Sequence, residues 1–264
     1  MADLRVMSFN VRGARAADGL NEWRFRAALN VETIQRYHPD LIGFQEHQHG
    51  NFETYKSLLS GYEWQLGPGY SSQSNPEHNA CYWRPQRLKH LESGGFYLSK
   101  TPAVFSGDWN TACIRCAAWS RFELPASRIQ FIHLNTHLDH VSELARVEGS
   151  KIIVKELSHI AKDSTPVLIT GDFNCEPGSD AYRVFTASGF VDTFLETGNR
   201  DGPEAATFHE FGGPACTDGG RIDWILTRHG RQTITIKSHA IIRDAHPPVY
   251  PSDHYPIITD LHLG

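Results

Sequence analysis

The segment PVLITGDFNCEPGSD, residues 166–180, carries an apolar run into Asp172, Phe173 and Asn174 before Pro and Gly break the chain. An acid and an amide at the end of a strand of buried character would ordinarily cap a turn. The same placement recurs, however. Asn10 ends LRVMSFN, Glu46 ends DLIGFQE, His137 ends IQFIHLNTH, Asp223 lies inside RIDWIL, and Asp253-His254 opens the last apolar segment. Polar groups set into apolar strands are costly unless partnered. If those strand ends meet at one edge of a sheet structure, Glu46, Asp172, Asp223 and Asp253 crowd together, and like charges crowd only when a cation or a proton offsets them. Carboxylate and amide oxygens, without a Cys/His cluster at zinc spacing, favour Mg²⁺ or Mn²⁺ over Zn²⁺. A hard divalent ion in turn suggests phosphate chemistry.

The elements that must position these residues are mostly strands. Alternating or short apolar runs rich in β-branched and aromatic residues cover 4–11, 40–46, 63–67, 79–84, 88–98, 113–124, 129–138, 166–173, 221–227, 232–242 and 254–263. Two long helices interrupt them. One spans 21–39 with Asn21 as its cap and stops before Pro39. The other spans 142–163 from Ser142 and places Leu144, Val147, Ile152, Leu157 and Ile160 near one face. Shorter helices fit 51–60 and 179–187. Many strands with few helices predict two packed mixed β-sheets flanked by helices, in a single α/β domain over residues 1–264.

Composition narrows the partners. With 25 Lys+Arg against 30 Asp+Glu, a formal charge of −5 and no long basic run, the chain lacks the electrostatic footprint of a protein that wraps nucleic acid. A small phosphorylated substrate, or a short end of a polymer, fits better. No apolar stretch is long enough to span a bilayer, the N-terminus MADLRVMSFN has no secretory pattern, and the irregularly spaced Cys81, Cys113, Cys116, Cys175 and Cys216 do not form a disulfide framework. The expectation is a cytoplasmic protein in a reducing compartment. The Cys113-x-x-Cys116 pair sits in an expected strand and reads as structural.

The ordered set SFNVRG, GFQEH, NTHLDH, GDFN, RIDWIL and PSDH, spread from residue 8 to residue 254, resembles the successive motifs of the DNase-I-like endonuclease/exonuclease/phosphatase superfamily. PEHNACYWRP (76–85) resembles a further segment of it, and GFYLSKTP and AAWSR are similar to stretches of a bacterial branch. This resemblance implies a four-layer α/β sandwich that hydrolyses a phosphoester with a divalent metal at one edge of its sheets. It implies Glu46 as a metal ligand, Asn10 as a ligand or close neighbour, and Asp253 as a ligand through water or at a second site. Asp172 would orient or deprotonate the attacking water and Asn174 would donate its amide to a phosphate oxygen. His254, oriented by Asp223, and His137, oriented by Glu77, would bind phosphate and assist proton transfer. Such chemistry needs positioning and charge neutralisation, with no covalent nucleophile.

Substrate contacts are less determined. Arg115 suits a phosphate or an ion pair. Trp109 and Asn110, in SGDWNTA, suit a stacking wall for a base or sugar, or a clamp on their loop, and Phe208 and Phe211 divide the same way. Gln48 stands where secreted nucleases of the superfamily carry an arginine that enters the minor groove, which counts against duplex DNA. Three activities follow in order: hydrolysis of a small phosphorylated molecule, 3′-to-5′ exonuclease action of a deadenylase-like kind on single-stranded nucleic acid, and a silent binding module. Specificity is expected in the loops 68–78, 99–112, 197–220 and 243–251.

Overall fold

The computed structural model describes residues 2–162 and 164–264. Two mixed sheets pack face to face. The first contains β1 (Ala2–Asn10), β2 (Leu41–His47), β3 (Glu63–Gln65), β4 (Gly69–Tyr70) and β5 (Glu77–Trp83). The second takes the middle of the chain: β6 (Lys89–Tyr97), β7 (Cys116–Glu123), β8 (Gln130–His137), β9 (Val167–Asp172), β10 (Val191–Asp192) and β11 (Asp223–Arg228). The chain then returns to the first sheet with β12 (Ile234–Ile241) and β13 (Ile257–Leu263). Strand order is β12-β13-β1-β2-β5-β3, with β4 also on β5, and β10-β11-β9-β8-β7-β6. The β1–β2 and β8–β9 pairs are parallel and the others antiparallel. Helices α1 (Trp23–Tyr37) and α2 (His49–Leu58) flank the first sheet; α3 (Glu143–Ile160) and α4 (Asp180–Ala187) flank the second, and α5 (Thr193–Glu196) is a single turn. This is the expected four-layer sandwich.

Period-two alternation assigns each strand residue to a face. In β1, Leu4 and Val6 enter the core between the sheets, while Met7 and Phe9 pack with the helix side. The inward series of β1 continues Leu4, Val6, Ser8, Asn10. Its counterparts run Phe131, His133, Asn135, His137 in β8 and Leu168, Thr170, Asp172 in β9. Each passes from hydrocarbon through uncharged polar groups to the site residues, so polarity rises along the sandwich toward one edge. The middle layer is closed by hydrogen bonds across the sheets. Asn135 donates to Phe44 O and Ala80 O and accepts from Gln45 at 2.7 Å in the opposite sheet, and Thr170 of the neighbouring strand steadies it with a 3.0 Å bond to the same oxygen. Gly43 lies where a Cβ would overlap Thr170 Oγ1 and Asn135, so this close approach requires glycine.

Several expected boundaries shift. The first helix begins at Trp23 with Glu22 at its cap; Asn21 instead ties the chain to a distant loop, accepting from Tyr250 N and donating to Pro248 O. Ser142 caps α3 as expected, accepting from Ala145 N. The described helix ends at Ile160, and Asp163, the last residue of the expected span, lies outside the described residues. Its buried stripe is Ala145, Gly149, Ile153 and Leu157, while Leu144 faces solvent. β7 starts at Cys116 rather than residue 113, so the Cys113-x-x-Cys116 pair straddles a strand end. All five cysteines are free. Among the described residues no helix is long and apolar enough to cross a membrane.

Candidate active site

Strand register gathers the first group of site residues. His137 stands opposite Asp172 in the β8–β9 pair, and Asp172 opposite Asp223 in the β9–β11 pair. Two carboxylates in directly opposed positions repel each other. His254, which precedes β13 rather than opening it, offsets that repulsion. Its Nδ1 is 2.9 Å from Asp223 Oδ2 and its Nε2 is 3.7 Å from Asp172 Oδ2. Ligand atoms of Asp172, Asp223 and His254 all lie within 4.8 Å of one another, and all three residues are buried. Burial alone would favour the neutral imidazole, but Asp223 and Asp172 outweigh it and raise the His254 pKa to about 10.

Asp172 is the hub. Its Oδ2 accepts the Asn10 amide at 2.9 Å and lies 3.3 Å from His137 Nε2; its Oδ1 accepts Asn174 N–H at 2.9 Å. Burial first, then the facing Asp223, pushes the Asp172 pKa up to about 7 against the pull of His254. His137 moves the opposite way from His254: burial, with Arg115 and His254 nearby, drives it well below the usual imidazole range. The site therefore holds one cationic and one neutral imidazole on either side of a carboxylate.

Glu46 arrives by an irregularity. Alternation in β2 would turn it toward the helices with Ile42 and Phe44. A bulge between Phe44 and His47, with Glu46 at φ 57°, reverses the facing. Glu46 then lines the cavity, and His47 packs among Phe44, Tyr55 and Tyr82. Burial would raise the Glu46 pKa, yet hydrogen bonds from Asn10 and Gly13 N–H and the charges of His254 and Arg12 hold it low. Asn10 thus bridges Glu46 and Asp172, its own Oδ1 accepting Arg12 N–H. Asp253 accepts the Ser252 hydroxyl at 3.2 Å and lies 3.7 Å from Arg12 Nε, and burial raises its pKa. Behind this side, the wholly buried Arg26 guanidinium donates to the carbonyls of Val11, Arg12, Asn21 and Pro251, fixing the segment that follows Asn10 and the one that precedes Asp253.

Glu46, His137, Asp172, Asp253 and His254 line a cavity of about 500 Å³, whereas Asn10 and Asp223 are not among its lining residues and act through the hydrogen bonds they make to Glu46, Asp172 and His254. Arg115, Asn174, Phe208 and Phe211 also line it, together with Arg12 and His140, whose roles were not read from the sequence. Arg115 is buried with no carboxylate partner among the described residues. It donates to His140 Nδ1 at 3.1 Å, and its Nε has no partner among the described residues. Phe208 packs over His254 with ring centroids 4.9 Å apart.

Of the two uses open to Trp109 and Asn110 the structure shows the loop clamp, and the Glu77–His137 pairing that the resemblance implies is not formed among the described residues. Trp109 and Asn110 are not among the cavity-lining residues; both adopt left-handed backbone, and Trp109 O accepts the Ser142 hydroxyl, so they fasten their loop to the start of α3. Glu77 lines the cavity but accepts from Gln48 Nε2 at 3.3 Å, and the partner at His137 Nδ1 is Tyr70 Oη at 3.2 Å. Tyr70 escaped notice because it sits in a two-residue strand inside a loop.

The donor set suits a hard cation. Glu46, Asp253 and Asn10 offer only oxygen, and the Glu46 carboxylate spends two acceptor positions on Asn10 and Gly13, leaving others toward the cavity.

Comparison with known proteins supplies a family. The family model described as Endonuclease/Exonuclease/phosphatase family matches residues 7–254. A crystal structure of an endonuclease/exonuclease/phosphatase from Bacteroides vulgatus is 29% identical, covers 100% of both chains and superposes with a TM-score of 0.88. The mannosyl-6-phosphatase of Bacteroides thetaiotaomicron is 26% identical, with 98% of this chain and 99% of that one covered and a TM-score of 0.87. Nocturnin of Homo sapiens is 26% identical over 207 residues, which is 70% of this chain and 46% of that protein. The chain therefore spans about half the length of the curated relatives it matches.

Proposed function

The chain belongs to the Endonuclease/Exonuclease/phosphatase family, and on that premise we propose that it hydrolyses a phosphoester on a small phosphorylated molecule, a sugar phosphate being the first choice. The observation that carries this reading is the Asp172 hub, a buried carboxylate flanked by a cationic His254 and a neutral His137 at the wall of the cavity. Asp172, with its pKa near 7, takes the proton of the attacking water. His254 sets a positive charge against a phosphate oxygen, Asn174 and His137 offer hydrogen bonds to others, and Asp223 holds the His254 ring by Nδ1.

Glu46 and Asp253, with Asn10 beside them, would hold Mg²⁺ or Mn²⁺. Such an ion, when bound, neutralises phosphate oxygens and polarises the scissile ester. Two features support a small substrate: the cavity's volume, and the chain's likeness in fold to the mannosyl-6-phosphatase over nearly the whole of both chains. Phe208 and Phe211 at the cavity support the second reading, an exonuclease that stacks a terminal base.

The deciding assay measures phosphate or nucleotide release from sugar phosphates, nucleoside monophosphates, bis-p-nitrophenyl phosphate, poly(A) and single-stranded DNA, each with Mg²⁺, Mn²⁺ or EDTA. Metal-dependent release from the small esters alone is expected. Shortening of the oligonucleotides would favour the exonuclease, and silence throughout would sink the hydrolytic reading. Within the same assay, Arg115→Met should raise KM about 10- to 100-fold with a smaller change in kcat, as loss of a hydrogen bond to a charged group costs about 1.5–3 kcal/mol. An unchanged KM would remove Arg115 from the substrate contacts.

A further inference from the structure

His137 is held at one ring nitrogen and has a carboxylate near the other. Tyr70 Oη lies 3.2 Å from its Nδ1, and Asp172 Oδ2 lies 3.3 Å from its Nε2. Tyr70 is wholly buried, and its hydroxyl oxygen also accepts Glu46 N–H at 3.0 Å. A backbone N–H can only donate, so the phenol oxygen is the acceptor in that bond. Among the described residues, the acceptor that remains for the phenol's own hydrogen is His137 Nδ1. A neutral imidazole that accepts at Nδ1 carries its hydrogen on Nε2.

We propose that Tyr70 is a positioning residue that fixes His137 as the Nε2–H tautomer, so that the ring presents a hydrogen-bond donor, and not a base, to a phosphoryl group in the cavity. The catalytic half of this proposal rests on the hydrolytic reading above; the tautomer does not.

The arrangement differs from the carboxylate-held histidine that family resemblance implies. Glu77 is the backbone partner of Tyr70 across β4 and β5, yet its carboxylate turns to Gln48. A carboxylate at Nδ1 would stabilise an imidazolium, as Asp223 does for His254; a phenol hydroxyl donates and leaves the ring uncharged. One hydroxyl thereby divides the labour of the two histidines. It also ties His137 to the left-handed bulge that presents Glu46, so a proposed metal ligand and a proposed phosphate donor share one anchor.

The test is side-chain ¹⁵N NMR of the histidine-labelled full chain at neutral pH, with the His137 signals assigned by their loss in His137→Gln. Wild type should show His137 protonated at Nε2 and bare at Nδ1. Tyr70→Phe should mix in the Nδ1–H form and lower kcat about 10- to 100-fold, the usual cost of losing a partner that orients a site ligand, with KM moving less. Glu77→Gln should leave the His137 tautomer as it was. A wild-type ring protonated at Nδ1 overturns the proposal even if the Tyr70 variant does not fold, and so does a Tyr70→Phe spectrum identical to wild type or a Glu77→Gln spectrum that changes. A chain that hydrolyses no phosphoester and still shows the Tyr70-dependent tautomer would overturn the hydrolytic reading and uphold the tautomer.

Discussion

Replacing His254 with alanine is expected to abolish most turnover and to destabilise the protein by about 3–5 kcal/mol, the cost of removing one partner from a buried ion pair. The reason is geometric. His254 Nδ1 is 2.9 Å from Asp223 and Nε2 is 3.7 Å from Asp172, and alanine leaves those two opposed carboxylates without the charge between them. The destabilisation should depend on pH. The folded pKa of His254, about 10, lies above its unfolded value near 6.5, so its contribution is complete below 6.5 and lost as pH rises through 10. Denaturant unfolding of metal-free wild type and His254→Ala should therefore differ most near pH 6 and converge near pH 10. A constant difference across that range would show that lost packing against Phe208, and not lost charge, sets the cost. Turnover should fall about 10²- to 10³-fold or more, the usual loss when a fixed charge on the reacting group is removed. A variant at wild-type rate would remove His254 from the mechanism.

Asp172→Asn should lower kcat about 10²- to 10⁴-fold while the fold persists, since it removes the proposed proton acceptor in a side chain of nearly the same shape. Its effect on stability also has a sign. In the metal-free protein the Asp172 pKa is raised from 3.8 to about 7, so its contribution is full below 3.8 and lost as pH rises through 7. The substituted amide cannot titrate, and the variant's stability should vary less than wild type's between pH 4 and 7. Parallel profiles would show that Asp172 titrates near its ordinary value. The amide also sets an N–H₂ against either Asn10 Nδ2 or Asn174 N–H, an expected cost of about 1–3 kcal/mol that is independent of pH.

What the sequence disclosed follows from where regular alternation holds. Leu4, Val6, Ser8 and Asn10 in β1, or Leu168, Thr170 and Asp172 in β9, sit at spacings of two, so a strand reading carries directly into which groups share a face. The order of the motifs supplied the rest of the fold. Legibility stopped where the backbone departs from its period. Glu46 reaches the cavity through a bulge and a left-handed φ, features that one sequence does not encode locally. Tyr70 belongs to a strand of two residues, too short to carry a pattern. Asn21 has the residue type of a helix cap, but tertiary bonds to the 248–250 loop claim its side chain. Trp109 and Asn110 have the composition of either a stacking wall or a loop clamp, and only the tertiary bond from the Ser142 hydroxyl to Trp109 O selects the clamp.

The layer of uncharged polar groups between hydrocarbon and site has a mechanical consequence. Asn10 and Glu46 ride on the first sheet, with Asp253 on the loop that leads into its β13; His137, Asp172 and Asp223 ride on the second. Neither half holds both the proposed cation ligands and the proposed base, so the reaction happens across a seam. Hydrocarbon packing resists separation of the two halves but tolerates sliding, whereas the directional bonds of Asn135 to Phe44, Ala80 and Gln45 cross the seam and resist shear. A slip of about 1 Å can cost about 10²-fold in rate, long before any strand unravels. Those amides are rivets that keep the two halves of the catalyst aligned, and alignment, more than fold, is what warming would take from this protein first.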